Sequence, residues 1–201
     1  MNEADTCRKY VVPKLVAAGW ENSPHSIAEQ RTFTDGRIIV TGSKIRRGQQ
    51  KRSDYLLRYT RDFPIAVVEA KASYKTPGSG LQQAKEYAEI LGLQFAYSTN
   101  GQAIVEFDFK TGREAEIEEF PSPQELWSRF KKTINISESQ EDKLLTSFFH
   151  QPGRIPRYYQ EVAINRVVQE IIKGRKRILI TMATGTGKTV VSFQICWKLW
   201  F

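Results

Sequence analysis

The chain predicts an α/β fold, a mixed central sheet flanked by helices and followed by an incomplete RecA-like segment that carries a phosphate-binding loop. Three observations carry this. Helical and strand periodicities alternate along the first two thirds of the chain. Pro64-Ile65-Ala66-Val67-Val68 is too continuously apolar for anything but a central strand. A glycine-rich Gly185-Thr186-Gly187-Lys188-Thr189 lies between a strand-like run and a helix-like one.

The elements follow in order. Tyr10, Val11, Leu15 and Ala18 recur at helical spacing between Asp5 and Ala18, and Gly19 suits a C-cap. Ile27 to Val40 reads as two short strands broken by a turn at Thr34-Asp35-Gly36. Lys44, Arg46, Arg47, Lys51 and Arg52 then crowd together without an acid among them, and Gly42, Gly48 and two glutamines give the stretch the character of a mobile loop. Asp54 to Tyr59 and Ile65 to Ala70 are strands expected to pair across the turn at Arg61-Asp62-Phe63-Pro64. Thr76 to Gly80 is a flexible connector into a helix over Leu81 to Leu91, which Gly92 stops. Phe95 to Ser98 and Ala103 to Phe109 form a hairpin across Asn100-Gly101.

Pro121 and Pro123 punctuate the end of this unit, and the polar helical stretch from Gln124 to His150 leads away from it. Arg157 to Ile172 is an amphipathic helix, Arg177 to Met182 a short strand, and Gly187 to Trp200 the start of another helix. The expected division is a domain over 1–131, a helical connector over 132–155, and the opening of a RecA-like unit over 156–201.

Composition narrows the function classes. The net charge of +8 fits a polyanionic partner but names neither fold nor chemistry. Cys7 and Cys196 stand at opposite ends, so neither a disulfide framework nor a zinc site is signalled. No run approaches the roughly 18 apolar residues of a membrane span, and the amino terminus lacks a secretory pattern. A cytoplasmic protein with no membrane partner is expected.

The chemistry-bearing constellation is Asp54 at the start of one strand with Glu69-Ala70-Lys71 at the end of the next. Side chains alternate across a strand, so Glu69 and Lys71 project from one face and Ala70 from the other. Two carboxylates at adjacent strand ends repel unless a divalent cation lies between them, and hard oxygen ligands suit Mg²⁺. Asp54 and Glu69 are therefore the candidate metal ligands. A metal there would polarise a scissile phosphate and activate a water, with Lys71 orienting that water or stabilising the charge that develops on phosphorus. Gln83 and Tyr87, four apart on the following helix, share a face that can reach back to this site. Lys44 to Arg52 lies just upstream and could track a nucleic-acid backbone.

These residues resemble a known family. Lys51-Arg52-Ser53-Asp54-Tyr55-Leu56-Leu57, Pro64 to Lys71, Gly80 to Ala88 and Tyr97-Ser98-Thr99-Asn100-Gly101 look like the nuclease domain of the restriction (R) subunit of type I restriction-modification enzymes. Those domains resemble RecB-type nucleases, in which a Gln-x-x-x-Tyr element accompanies a PD-(D/E)xK triad. Glu3 to Arg8 and Leu15 to Trp20 resemble that subunit's first helix. The resemblance implies a restriction-endonuclease-like sheet, Asp54 and Glu69 as Mg²⁺ ligands, Lys71 as the catalytic lysine and Gln83 and Tyr87 beside them. It further implies double-stranded DNA as substrate, and methylation and specificity subunits as partners. Ser53 departs from the proline of the family name, and Glu3 is a candidate for the extra acidic residue some related nucleases take from the first helix.

Met182-Ala183-Thr184-Gly185-Thr186-Gly187-Lys188-Thr189 likewise resembles motif I of superfamily 2 helicases, with Met182 where the strict Walker A pattern has glycine. Backbone amides of Gly185, Thr186 and Gly187 would cradle phosphates, Lys188 would reach the β and γ groups, and Thr189 would hold Mg²⁺. Arg157-Tyr158-Tyr159-Gln160 resembles the adenine-reading element of the same motors, with Gln160 bonding the base. No Walker B element or second lobe follows, so ATP is expected as a cofactor of a full-length protein only. An orphan strand and two helices cannot bury both faces of a sheet, which predicts a fragment of a longer polypeptide, poorly ordered or unusually packed beyond residue 150. The rival readings are a non-catalytic DNA-binding or docking module with a nuclease-like shell, and a chain whose working part is the P-loop segment.

Overall fold

The computed structural model describes residues 2–34, 38–41, 44–47, 50–150 and 156–201. Its centre is a six-stranded sheet in the order β1 (Ser26–Glu29), β6 (Tyr55–Thr60), β7 (Phe63–Ala70), β8 (Phe95–Thr99), β9 (Ile104–Asp108), β10 (Arg113–Ile117). Only β7 and β8 pair in parallel, and the other neighbours are antiparallel. Parallel neighbours need a crossover, and α3 (Leu81–Leu91) supplies it. The mixed central sheet flanked by helices is thus established.

The first helical region runs as α1 (Glu3–Thr6), a π-helical turn over Cys7–Val11, and α2 (Val12–Ala17). Val11 and Leu15 from it, and Trp20 in the turn that follows, are fully buried. The sheet separates two cores. Tyr55, Leu57, Val68, Phe95 and Tyr97 face α2 and α4 (Pro123–Ile134), while Leu56, Val67 and Ala96 face Ala84, Tyr87, Ala88 and Leu91 of α3. This period-two alternation puts Glu69, two residues from Val67, on the α3 side.

The basic stretch is not a loop where it is described. β4 (Lys44–Arg47) pairs with β3 (Ile38–Thr41), and β5 (Gln50–Arg52) pairs with β2 (Thr32–Thr34), both antiparallel. Gln30 N donates to Asp54 O and Ser53 N to Arg31 O, so the β1–β6 ladder continues into this two-stranded ribbon without interruption. Backbone pairing inherited from β1–β6 overrides the polar composition that suggests a loop. Thr34 and Val40 therefore lie in strands that do not pair with each other. Asp35 and Gly36 of the expected turn, and Gly42 and Gly48, lie outside the described residues. Strand β10 is a further addition, half exposed at the sheet edge and too charged to show an apolar alternation.

Beyond the sheet, the predicted polar stretch forms α4 and α5 (Glu138–Leu145). Helices α6 (Tyr158–Ile172) and α7 (Lys188–Trp200) follow. Ile164, Val168 and Val191 join the same buried cluster as Leu57, Val68 and Leu126. Arg58 Nη1 and Nη2 donate to Glu161 Oε1 and Oε2 at 2.5 and 3.1 Å, both residues being buried. Asp62, in the turn between β6 and β7, accepts from Phe148 N and bonds His150 Nε2, while its carbonyl accepts from Asn165 Nδ2. The buried ammonium of Lys198 donates to Thr146 O at 2.7 Å.

Arg177 to Met182 belongs to no strand. The expected β segment has no partner ladder among the described residues, and Leu179 is 91% exposed. The expectation of unusual packing beyond residue 150 therefore divides, since α6 and α7 are seated in the common core and the stretch between them touches it only through partly buried Ile180 and Met182. No described helix is long and apolar enough to cross a membrane.

Candidate active site

Asp54 sits at the entry to β6 and Glu69 near the end of β7, and the Tyr55↔Val68 register brings them opposite each other. Each carboxylate is fixed by a backbone amide of the opposite strand end. Asp54 Oδ2 accepts from Ala70 N at 2.8 Å, and Glu69 Oε1 accepts from Asp54 N at 3.2 Å. Lys71 Nζ lies 3.7 Å from Glu69 Oε2 and donates to Gln83 Oε1 at 3.0 Å. Gln83 Nε2 in turn donates to the Tyr87 hydroxyl at 2.8 Å. The structure thus brings Asp54, Glu69, Lys71, Gln83 and Tyr87 into one connected group on the α3 side of the sheet.

Glu69 is only 1% exposed, and burial followed by repulsion from Asp54 pushes its carboxyl up to about 8. Burial also raises Asp54, against the lowering effect of the Ala70 amide, and Glu3 adds a repulsive charge to both. Two carboxyls held together without enough positive charge form a site that a cation would relieve. Among the described residues no group of three or more His, Cys, Asp or Glu is placed to hold a metal ion. The donor set is two carboxylates, which fits Mg²⁺, an ion that keeps several waters and binds through one or two carboxylates plus substrate phosphate.

Ser53 departs from proline for a visible reason. Its amide donates to Arg31 O at 3.0 Å and carries the ribbon pairing, a bond proline could not make. Its hydroxyl is buried and finds no hydrogen-bond partner among the described residues.

Two residues of the site escape sequence reasoning. Gly80 has a turn-like neighbourhood that reads as a flexible connector, yet it forms a 3₁₀ turn over Pro77–Gly80. A Cβ there would come within 2.9 Å of Lys71 Cε and of Ser98 Oγ. Ser98, a buried serine in an apolar strand, accepts from Gly80 N and donates to Pro77 O, which holds the start of α3 against the site. The Gly-Leu-Gln-Gln run carries the only signal, since glycine at the entry to a helix admits close approach.

The P-loop residues form a second locus. Gly185 and Gly187 adopt φ of 77° and 86°, so the loop takes conformations that favour glycine. Lys188 Nζ donates to Ala183 O at 3.3 Å and Thr186 Oγ1 to the same carbonyl at 2.6 Å. Gln160 Oε1 accepts from Arg157 N and its Nε2 donates to Thr186 O at 2.8 Å, so both ends of its amide are engaged. Thr189 starts α7.

A mixed sheet with an acidic pair and a lysine at one strand end, packed against a helix that precedes a P-loop, defines a restriction-endonuclease-like unit joined to a helicase-like segment. A family model described as "Type III restriction enzyme, res subunit" matches residues 154–201, the helicase-like part. The chain is 38% identical over 208 aligned residues to the type I restriction enzyme EcoAI endonuclease subunit of Escherichia coli, covering all of this chain and 25% of that subunit. It is 32% identical over 149 residues to the EcoKI endonuclease subunit of Escherichia coli K12, covering 68% of this chain and 12% of that one. A solved fragment of an HsdR subunit of a type I restriction enzyme from Vibrio vulnificus YJ016 superposes with a TM-score of 0.89 at 62% identity, over all of this chain and 38% of that one. The chain is homologous along its whole length to the endonuclease (HsdR) subunits of type I restriction enzymes, and spans about a quarter of the first of these relatives.

Proposed function

We propose that this chain carries the nuclease centre of a type I restriction enzyme R subunit, hydrolysing phosphodiester bonds of double-stranded DNA with Mg²⁺. Its nuclease domain spans 1–131, a connector spans 132–155, and 156–201 opens an ATP-driven translocase. The observation that carries the reading is the convergence of Asp54, Glu69 and Lys71 in one buried, hydrogen-bonded group.

Asp54 and Glu69 would hold the metal, which when bound polarises the phosphate and lowers the pKa of water. The remaining work belongs to the chain. Lys71 Nζ presents a cation toward the oxygens that gain charge on phosphorus. Gln83 Oε1 and the Glu69 carboxylate hold that ammonium in place, and the Tyr87 hydroxyl holds Gln83. Lys51 and Arg52 lie on the β2–β5 ribbon that leaves the sheet beside Asp54 and would contact DNA phosphates irrespective of sequence. Lys44, Arg46 and Arg47, whose side chains lie outside what is described, belong to the same candidate DNA-tracking stretch. Glu3 contributes further negative charge and is a candidate to complete the metal's surroundings.

Gly185, Thr186, Gly187, Lys188 and Thr189 would bind the phosphates and Mg²⁺ of ATP in the longer protein. Gln160 could read adenine only on releasing Thr186 O or Arg157 N. Methylation and specificity subunits would be the partners that direct cutting. Free Cys7 and Cys196 are compatible with a cytoplasmic location.

Plasmid cleavage by the purified protein with Mg²⁺, compared with Lys71→Ala and Asp54→Ala, tests the chemistry. Losses of about a hundredfold or more are expected for both variants. Equal cleavage by all three proteins would sink the assignment. Calorimetric titration with Mn²⁺ separates the reading from a non-catalytic docking module, since only a catalytic centre requires binding that depends on Asp54 and Glu69.

A further inference from the structure

The lysine of the candidate site is held by a chain of contacts that does not end in the nuclease sheet. Lys71 rests on Gln83 and Gln83 on Tyr87. The Tyr87 ring meets the edge of Phe33 at a centroid distance of 5.0 Å and an interplanar angle of 88°. Phe33, only 2% exposed, lies in turn 6.2 Å from the ring of Tyr158, the first residue of α6. The Tyr158 hydroxyl donates to Thr34 O at 2.6 Å and accepts from Thr34 Oγ1 at 2.7 Å, so its outer end is tied to the residue that follows Phe33. Two residues further along the same turn, Gln160 holds the P-loop carbonyl of Thr186.

We propose that Tyr158, supplied by the helix that precedes the P-loop, is a positioning residue for Lys71, acting through Phe33, Tyr87 and Gln83. The physical reason lies in the Gln83 amide. Its two ends are nearly equal in size but opposite in hydrogen-bonding sense, and only one orientation offers oxygen to an ammonium. The donor-only ammonium of Lys71 selects that orientation, and the Tyr87 hydroxyl, accepting from Nε2, holds the amide in it. Tyr87 can do so only while its ring is held, and Phe33 packs edge-on against it, braced from behind by Tyr158. One helical turn therefore anchors both the P-loop carbonyl and the support of the nuclease lysine.

The consequence for DNA cleavage rests on the nuclease reading, so the test carries a readout that does not. Tyr158→Leu preserves apolar bulk and removes the ring and hydroxyl. The side-chain amide protons of Gln83, followed by NMR in the whole chain, are expected to move, and Tyr158→Phe is expected to restore them. Phe33→Leu cuts the same path from the nuclease side and should move them as well. In plasmid cleavage with Mg²⁺, Tyr158→Leu is expected to lower kcat about tenfold with KM little changed, as for a displaced catalytic group, with Tyr158→Phe again restoring it. Unchanged Gln83 resonances in a folded Tyr158→Leu protein overturn the proposal, as does a shift that leaves kcat intact or one that Tyr158→Phe does not reverse. Should the wild-type protein cut no DNA, the nuclease reading fails by itself, while the Gln83 resonances still decide whether Tyr158 orders the lysine's support.

Discussion

The E-x-K group and the P-loop make an instructive pair, because their legibility in the sequence runs opposite to their assembly in the structure. Gly185 to Thr189 is a specific motif, whereas Asp54 with Glu69 and Lys71 is a pattern common by chance. Yet each carboxylate of the weak motif is fixed by a backbone amide, and Lys71 is held by two side chains. The strong motif follows a stretch that pairs with no strand among the described residues, and its lysine and Thr186 bond back to Ala183. Motif specificity reports ligand chemistry, while assembly depends on the partners a segment finds. Helices α6 and α7 share the core with the sheet, whereas residues 177–182 reach it only through partly buried Ile180 and Met182.

The largest expected effect sharpens this contrast where the two regions are joined. Arg58 and Glu161 form a bidentate pair in which each side chain is 9% exposed. Removing one partner strands the other charge in the interior, so Glu161→Ala should destabilise the whole chain by about 3–5 kcal/mol. Urea denaturation followed by tryptophan fluorescence checks it. Two separate transitions in the wild type, with only the later segment sensitive to Glu161, would show that α6 and the sheet are not one cooperative unit.

Titration distinguishes the regions by sign. Asp54 and Glu69 have folded pKa values above their ordinary 3.8 and 4.5, Glu69 reaching about 8. The metal-free fold binds their protons more tightly than the unfolded chain, so their contribution is whole below about pH 4 and is lost as pH rises toward 8. A divalent cation should reverse that loss. At a hundredfold excess over Kd, Mn²⁺ should add about 2–3 kcal/mol near pH 8 and much less near pH 5, and Glu69→Gln should abolish the gain. Lys198 runs the other way. Burial pushes it down from 10.5 to about 8, so its desolvation penalty is whole below pH 8 and fades as pH rises to 10.5, where stability should increase. Melting temperatures of the wild type, Glu69→Gln and Lys198→Met across pH 5–10 separate these contributions.

Within the nuclease-like region, Gly80→Ala tests how tightly the site is closed. The added methyl meets Lys71 Cε and Ser98 Oγ at 2.9 Å, so either the side chains give way or α3 backs off. Overpacking of this kind costs about 1–3 kcal/mol. Any DNA cleavage should fall more than stability alone explains, because Lys71 is one of the displaced groups. A melting temperature within a degree of wild type would show that this corner is looser than its distances imply.

What the sequence reveals follows from how local each signal is. Leu81–Leu91 is read to the residue because an apolar stripe and a C-capping glycine both lie within the segment, and Gly92 indeed adopts φ of 70°. The pairing of Asp54 with Glu69 is legible because two adjacent strands and a short turn leave one register that buries both apolar faces. The ribbon is missed because its strands are set by a ladder begun at Ser26 and Arg58, beyond its own composition. Gly80 and Ser98 are missed because nothing in a glycine or a serine announces what will approach it. Arg177–Met182 has the residues of a strand, but composition cannot supply a partner.

The smallest expected effect lies in that same stretch and is the most direct attempt to break the comparison. Leu179 is 91% exposed, so Leu179→Ser removes an apolar side chain that contributes almost no burial. Its effect on the stability of this chain should stay within about 0.5 kcal/mol, as for surface substitutions generally. The equivalent change at Leu57, fully buried in the sheet, should cost several times more, since it leaves a cavity and buries a hydroxyl without a partner. If both substitutions destabilised the protein equally in urea denaturation, the Leu179 side chain would have to be packed against something. The contrast between an assembled nuclease-like site and a stretch before the P-loop that finds no ladder among the described residues would then fail.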